Sequence, residues 1–93
     1  MLNVSKKAVT LLKAAKAEQG ATDDAGIRIR KGVMADESGV SVRFAISDAP
    51  DPDDEEFEQD GLRIFVEDVL IEPLDGRTLD VREAGEKTEF VFR

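Results

Sequence analysis

The dipeptide Asp60-Gly61, set between two short runs rich in apolar residues, restricts the fold of this chain more than any other feature. A two-residue hairpin loop needs backbone that twists with its flanking strands, and Asp-Gly supplies it, so the dipeptide signals a tight turn. On the returning side Leu62, Ile64 and Val66 alternate with Arg63, Phe65 and Glu67, the period of a strand with one buried face. Residues 57–66 therefore read as a hairpin. The same period recurs upstream. Ile27 and Ile29 alternate with Arg28 and Arg30, and Val40, Val42, Phe44 and Ile46 alternate with Ser41, Arg43, Ala45 and Ser47.

The N-terminal segment has a different period. Within residues 3–19, Val4, Ala8, Leu11, Leu12 and Ala15 fall on one helical stripe, with Lys6, Lys13 and Lys16 mostly off it. Asn3 or Ser5 serves as N-cap, and Gly20 ends the helix. The stripe is Ala and Leu without the deep anchors of a membrane-surface helix, so the helix is expected to pack on the sheet. Residues 32–39 form an irregular linker containing Met34, Asp36 and Glu37. Residues 48–60 hold eight carboxylates, no basic residue, and Pro50 and Pro52. That composition predicts a solvated loop leading into a short strand at Phe57. Residues 67–75 lack alternation and contain Pro73, which suggests a short helical turn or an irregular crossover, closed by the Asp75-Gly76 turn. Leu79 with Val81, and Phe90 with Phe92, give two last strands around a polar loop at residues 83–87. The expectation is an α+β domain, mostly β, spanning residues 1–93, with one N-terminal amphipathic helix packed on short, mainly antiparallel strands.

Composition closes off most chemistry. The chain has no Cys and no His, which removes disulfides, thiolate catalysis, thiolate metal sites and the commonest base and transition-metal ligand. A net charge of -8 repels phosphate backbones and anionic membranes, so neither nucleic acid nor membrane is an expected partner. There is no signal-peptide pattern and no apolar run of the ~18 residues that suggests a membrane span, and the expected location is cytoplasmic. Taken as a calcium loop, the acidic run offers Asp51, Asp53 and Glu55 in register, but Glu56 replaces the turn glycine and Leu62 the closing glutamate. Weak divalent-cation binding is all it supports. Carboxylate pairs such as Asp53-Asp54 and Asp36-Glu37 lack any sign of the burial that acid-base chemistry requires, so no enzyme activity and no cofactor are expected. Arg28, Arg30 and Lys31 form a basic cluster opposite in sign to residues 51–56. Internal complementarity accounts for it, and a docking patch for an acidic partner is the alternative.

Several strings, in order, resemble the A-type iron-sulfur carrier family, also called HesB-like or IscA-like, over nearly the whole chain. Gly26-Ile27-Arg28-Ile29 is similar to the family's Gly-Leu-Arg-Leu strand, and Ser38-Gly39, the alternating strand and Asp48-Ala49-Pro50 to its Cys-Ser-Gly, strand, Asp-Glu-Pro order. The run from Phe57 through Asp60-Gly61-Leu62-Arg63 to Val66 is the most specific match. Leu74-Asp75-Gly76, Leu79-Asp80 and Phe90-Val91-Phe92 follow as in the family. The resemblance implies a HesB-like fold. In the family, one Cys before the Ser-Gly and two in a Cys-Gly-Cys tail bind iron or a cluster, usually between two subunits. Here Glu37 stands near the first position, and the chain ends at Arg93 before such a tail. The implied function is that of a non-enzymatic protein related to iron-sulfur cluster assembly, unable to hold a cluster, acting as an accessory to another assembly protein, and monomeric or weakly dimeric. Two alternatives remain: a weak carboxylate-based binder of iron or another hard divalent cation, with Glu37 as ligand, and an acidic interaction module unrelated to iron.

Overall fold

A computed structural model describes residues 1–32 and 42–93. Its elements run β1 (Asn3–Val4), α1 (Lys6–Glu18), β2 (Gly26–Lys31), β3 (Val42–Ser47), β4 (Glu55–Gln59), β5 (Leu62–Val66), α2 (Asp68–Leu74), β6 (Thr78–Ala84) and β7 (Lys87–Phe92). They form a four-stranded sheet in the order β3-β2-β5-β4 and a three-stranded sheet in the order β1-β6-β7. Three pairings are antiparallel, and two, β1 with β6 and β2 with β5, are parallel. The expected α+β class with mainly antiparallel strands is what the chain adopts.

Asp60 (φ 51°) and Gly61 (φ 82°) both take left-handed backbone, the turn that joins two right-twisted strands without splaying them. The ladder they close pairs Gln59 with Leu62 and extends to Glu55 opposite Val66. The second half of the acidic run is thus a full strand, longer than the short one expected at Phe57. Alternation along an exposed edge, with Phe57 turned inward and Glu56 and Glu58 outward, outweighs the low strand preference of glutamate.

The N-terminal helix starts later than its stripe suggested. Ser5 is the cap, in extended backbone, with its Oγ accepting the Ala8 N–H at 3.1 Å. Val4 therefore lies outside the helix, in β1, where Asn3 N–H donates to the Arg77 carbonyl and Ser5 N–H to that of Leu79. The buried face of α1 is Ala8, Val9, Leu12 and Lys16, while Leu11 is 38% exposed. Residues 67–75 resolve into a helix, α2, that ends one residue after Pro73, whose ring nitrogen has no proton to donate. The expected polar loop at residues 83–87 is also shorter: the β6–β7 ladder runs to Ala84 opposite Lys87, leaving Gly85 and Glu86 as the turn.

Ile27, Ile29, Ile64 and Val66 on one face of the larger sheet join Leu2, Val4, Leu12, Leu70, Leu74, Leu79 and Phe92 in the core. Gln59 ties the two sheets together. Its Oε1 accepts the Val4 N–H at 3.0 Å and its Nε2 donates to the Val4 carbonyl, so one carboxamide occupies the side of β1 that no described strand covers.

Candidate functional site

The opposite face of the larger sheet carries the charged residues. Strand register places Arg28 beside Ala45 and Phe65, Phe65 opposite Glu56, and Arg30 opposite Arg43. Phe65 is fully buried although it lies on the face away from the core. The Arg63 guanidinium covers its ring at 5.0 Å, held there by Glu56 and by a 2.7 Å bond from Nη1 to the Asp24 carbonyl. Gly26 makes room beneath it: a Cβ at that position would lie 2.8 Å from the Phe65 ring and 2.8 Å from the Arg63 carbonyl oxygen.

Next to this pocket the acidic loop folds back on Arg28. Asp54 N–H donates to the Asp51 carbonyl at 3.0 Å, and Asp51 N–H to Asp54 Oδ2 at 2.9 Å, a tight turn with Pro52 at its second position. The turn presents both carboxylates to Arg28. Asp51 pairs with Nη2; Asp54 lies 3.0 Å from Nε through Oδ2 and 3.2 Å from Nη2 through Oδ1. The Nε proton is not aligned on Oδ2, so that contact is electrostatic and the bond to Nη2 is the directional one. Burial acts against the charge on Arg28, but the two aspartates outweigh it and raise its pKa above the ordinary arginine value. The basic cluster and the acidic run are complementary at this point.

The cluster divides there. Arg28 is neutralised, whereas Arg30 and Arg43 form no ion pair among the described residues, and Arg43 Nε donates only to the Lys31 carbonyl at 3.3 Å. In the acidic run Asp51 and Asp54 pair with Arg28, and no three Asp, Glu, His or Cys side chains among the described residues converge to hold an ion. Glu37, Asp36 and Ser38-Gly39 lie outside the described residues. The two aspartates of the Leu-Asp strings have structural tasks. Asp75 pairs with the Met1 amino group, and Asp80 accepts the Val81 N–H at 2.8 Å and lies 3.0 Å from Arg93 Nε.

One feature without a signal in the residue pattern is a groove of about 630 Å³ between α1, β3 and β7, lined by Leu11, Ala15, Phe44, Ile46 and Phe90 among others. The Phe44 and Phe90 rings meet at 5.1 Å and 48°, joining the edge strands of the two sheets. The groove exists because α1 turns Leu11 and Ala15 toward this seam and Val9 toward the core, a rotation that the stripe alone does not specify. No helix among the described residues is long and apolar enough to cross a membrane.

The donor set does not fit an iron-sulfur cluster. Clusters are held by thiolates, at times with imidazole, and the sequence supplies neither.

No family model matches the chain. An uncharacterised protein of Bradyrhizobium diazoefficiens is 31% identical in an alignment 93 positions long that covers 99% of this chain and 85% of that protein. Among solved structures, a protein from Aquifex aeolicus aligns with a TM-score of 0.79 and 25% identity over 99% of this chain and 89% of that one. Escherichia coli SufA, involved in biosynthesis of iron-sulfur clusters, aligns with a TM-score of 0.75 and 24% identity over 99% and 83%. IscA, solved with a [2Fe-2S] cluster, aligns with a TM-score of 0.70 and 19% identity over 100% and 84%. The chain shares the fold of SufA and IscA, contains no cysteine, and belongs to one family with the Bradyrhizobium protein.

Proposed function

We propose that this chain is a non-enzymatic, cytoplasmic accessory of iron-sulfur cluster assembly, which contacts another assembly protein and does not hold a cluster itself. One observation carries the reading: a HesB-like fold over the whole chain, with neither Cys nor His in it. Without thiolates the fold offers its partners a surface and no soft metal site. Glu37 is assigned to the neighbourhood of the family's first cysteine, where a single carboxylate holds a hard ion weakly at most. The charged outer face and the seam between the sheets remain as places of contact, and the protein is assigned as a monomer or weak dimer.

The test has two arms. Anaerobic titration with ferrous iron and sulfide is expected to leave the visible spectrum free of thiolate-to-iron bands, and a cluster-loaded A-type carrier from the same host is expected to perturb the amide spectrum of the labelled chain. A stable cluster spectrum refutes the reading. Tight iron binding that Glu37→Ala abolishes replaces it with metal handling, and absence of any effect from the host's carrier and scaffold proteins leaves an interaction module unrelated to iron.

A further inference from the structure

Strand β3 has a bonded neighbour, β2, on one side only among the described residues, and its two faces differ in chemistry. Phe44 and Ile46 face inward and line the apolar groove with Leu11, Ala15 and Phe90. Arg43 faces outward, directly across from Arg30. Like charges facing each other across a ladder are destabilising, and no described carboxylate pairs with either, in a chain with twenty-one acidic residues. Arg28 and Arg63 on the same face both have their acids.

We propose that the edge of β3 that no described strand pairs accepts an extended segment of a partner protein in which apolar and acidic side chains alternate. A strand added at the usual spacing of ~4.8 Å sends alternate side chains to opposite faces. One set then enters the groove between Leu11 and Phe90, and the other lies beside Arg43 and within reach of Arg30. Main-chain bonds to β3 supply affinity, and the two faces supply selectivity. A second copy of β3 is a poorer occupant, because it adds another Arg43 to a face that already holds two arginines without an acidic partner among the described residues. Nucleic acid leaves the groove unfilled and meets a net charge of -8. The inference rests on the interaction role proposed above and gives it a surface and a partner chemistry.

A capped peptide of strand length with alternating Glu and Val is the probe, titrated into the full labelled chain. Shifts are expected to concentrate on the amides of residues 42–47, with affinity falling about tenfold in Arg43→Glu and for the matching Lys-Val peptide. Leu11→Ser, at an exposed helix position, weakens binding through the apolar set while leaving the arginines intact. Equal binding of the Lys-Val peptide, shifts away from β3, no binding, or an Arg43→Glu variant that folds and binds unchanged overturns the proposal. So do β3 shifts that grow with protein concentration in the absence of peptide, which mark a second copy as the occupant. If the peptide binds at β3 and no assembly protein does, the accessory role fails and the surface stands; if an assembly protein binds elsewhere, the surface fails and the role stands.

Discussion

Replacing Asp54 by alanine removes the inner half of the clamp on Arg28. The Asp54 side chain is 2% exposed and that of Arg28 10%, whereas Asp51, the other acid, is 57% exposed. Breaking a buried pair by deleting one partner costs ~3–5 kcal/mol, because it strands a desolvated charge; an exposed pair is worth ~0–1 kcal/mol. Arg28 keeps Asp51 in the variant, but the turn also loses the Asp51 N–H bond to Oδ2, so the expected cost is about 3 kcal/mol. For a chain of 93 residues the total stability is roughly 5–14 kcal/mol, and such a loss lowers Tm by roughly 12–24 °C. Urea and thermal unfolding followed by far-UV circular dichroism measure both. The double change Arg28→Met with Asp54→Leu removes both charges together and is expected to recover most of the loss. A cost below about 1 kcal/mol for Asp54→Ala refutes the reasoning, because the pair then behaves as a surface pair.

Gly26→Ala is expected to destabilise by about 1–3 kcal/mol in urea unfolding, since the new methyl meets a buried ring and a strand carbonyl that cannot both retreat; a neutral substitution contradicts the account of Phe65. Asp80 governs part of the acid response. Its carboxyl is held below the usual ~3.9, first by the Ser5 hydroxyl, then by the Val81 amide and Arg93. A lowered folded-state pKa means that the unfolded chain takes up the proton more readily, so this contribution is complete above the usual value and disappears as pH falls through the folded one. The Tm gap between the parent chain and Asp80→Asn should therefore be widest near neutrality and narrow in acid, and a gap that stays constant to the acid end of the titration counts against the assignment.

The hairpin at Asp60-Gly61 was legible because turn chemistry and period two agree there, and the α1 cap only in part, because Asn3 and Ser5 both suit the task and the structure gives it to Ser5. Strand β1 was not, since two residues carry no period and its partner lies near the other end of the chain. The facing of α1 depended on neighbours: Val9 and Lys16, which lie off the stripe, go inward, and Leu11 and Ala15, which lie on it, are left to the seam with Phe90. Charge composition predicted that the basic cluster and the acidic run would be complementary. Only packing decides that Arg28 is neutralised and that Arg30 and Arg43 have no acidic partner among the described residues, because the carboxylates on Arg28 arrive on a loop from a distant part of the sequence. Glu37 was placed by resemblance alone, and nothing in the period or charge of its surroundings marks it.

The pairing of β1 with β6 has a kinetic side. The β4–β5 and β6–β7 hairpins join residues close in sequence and can close early, whereas Asn3 must wait for Thr78. Ser5, which caps α1, is bonded to that late-closing pair through Leu79. Helix α1 is thus among the last of these elements to dock, although it comes early in the sequence, and until β6 has formed its apolar face lacks part of its final surroundings.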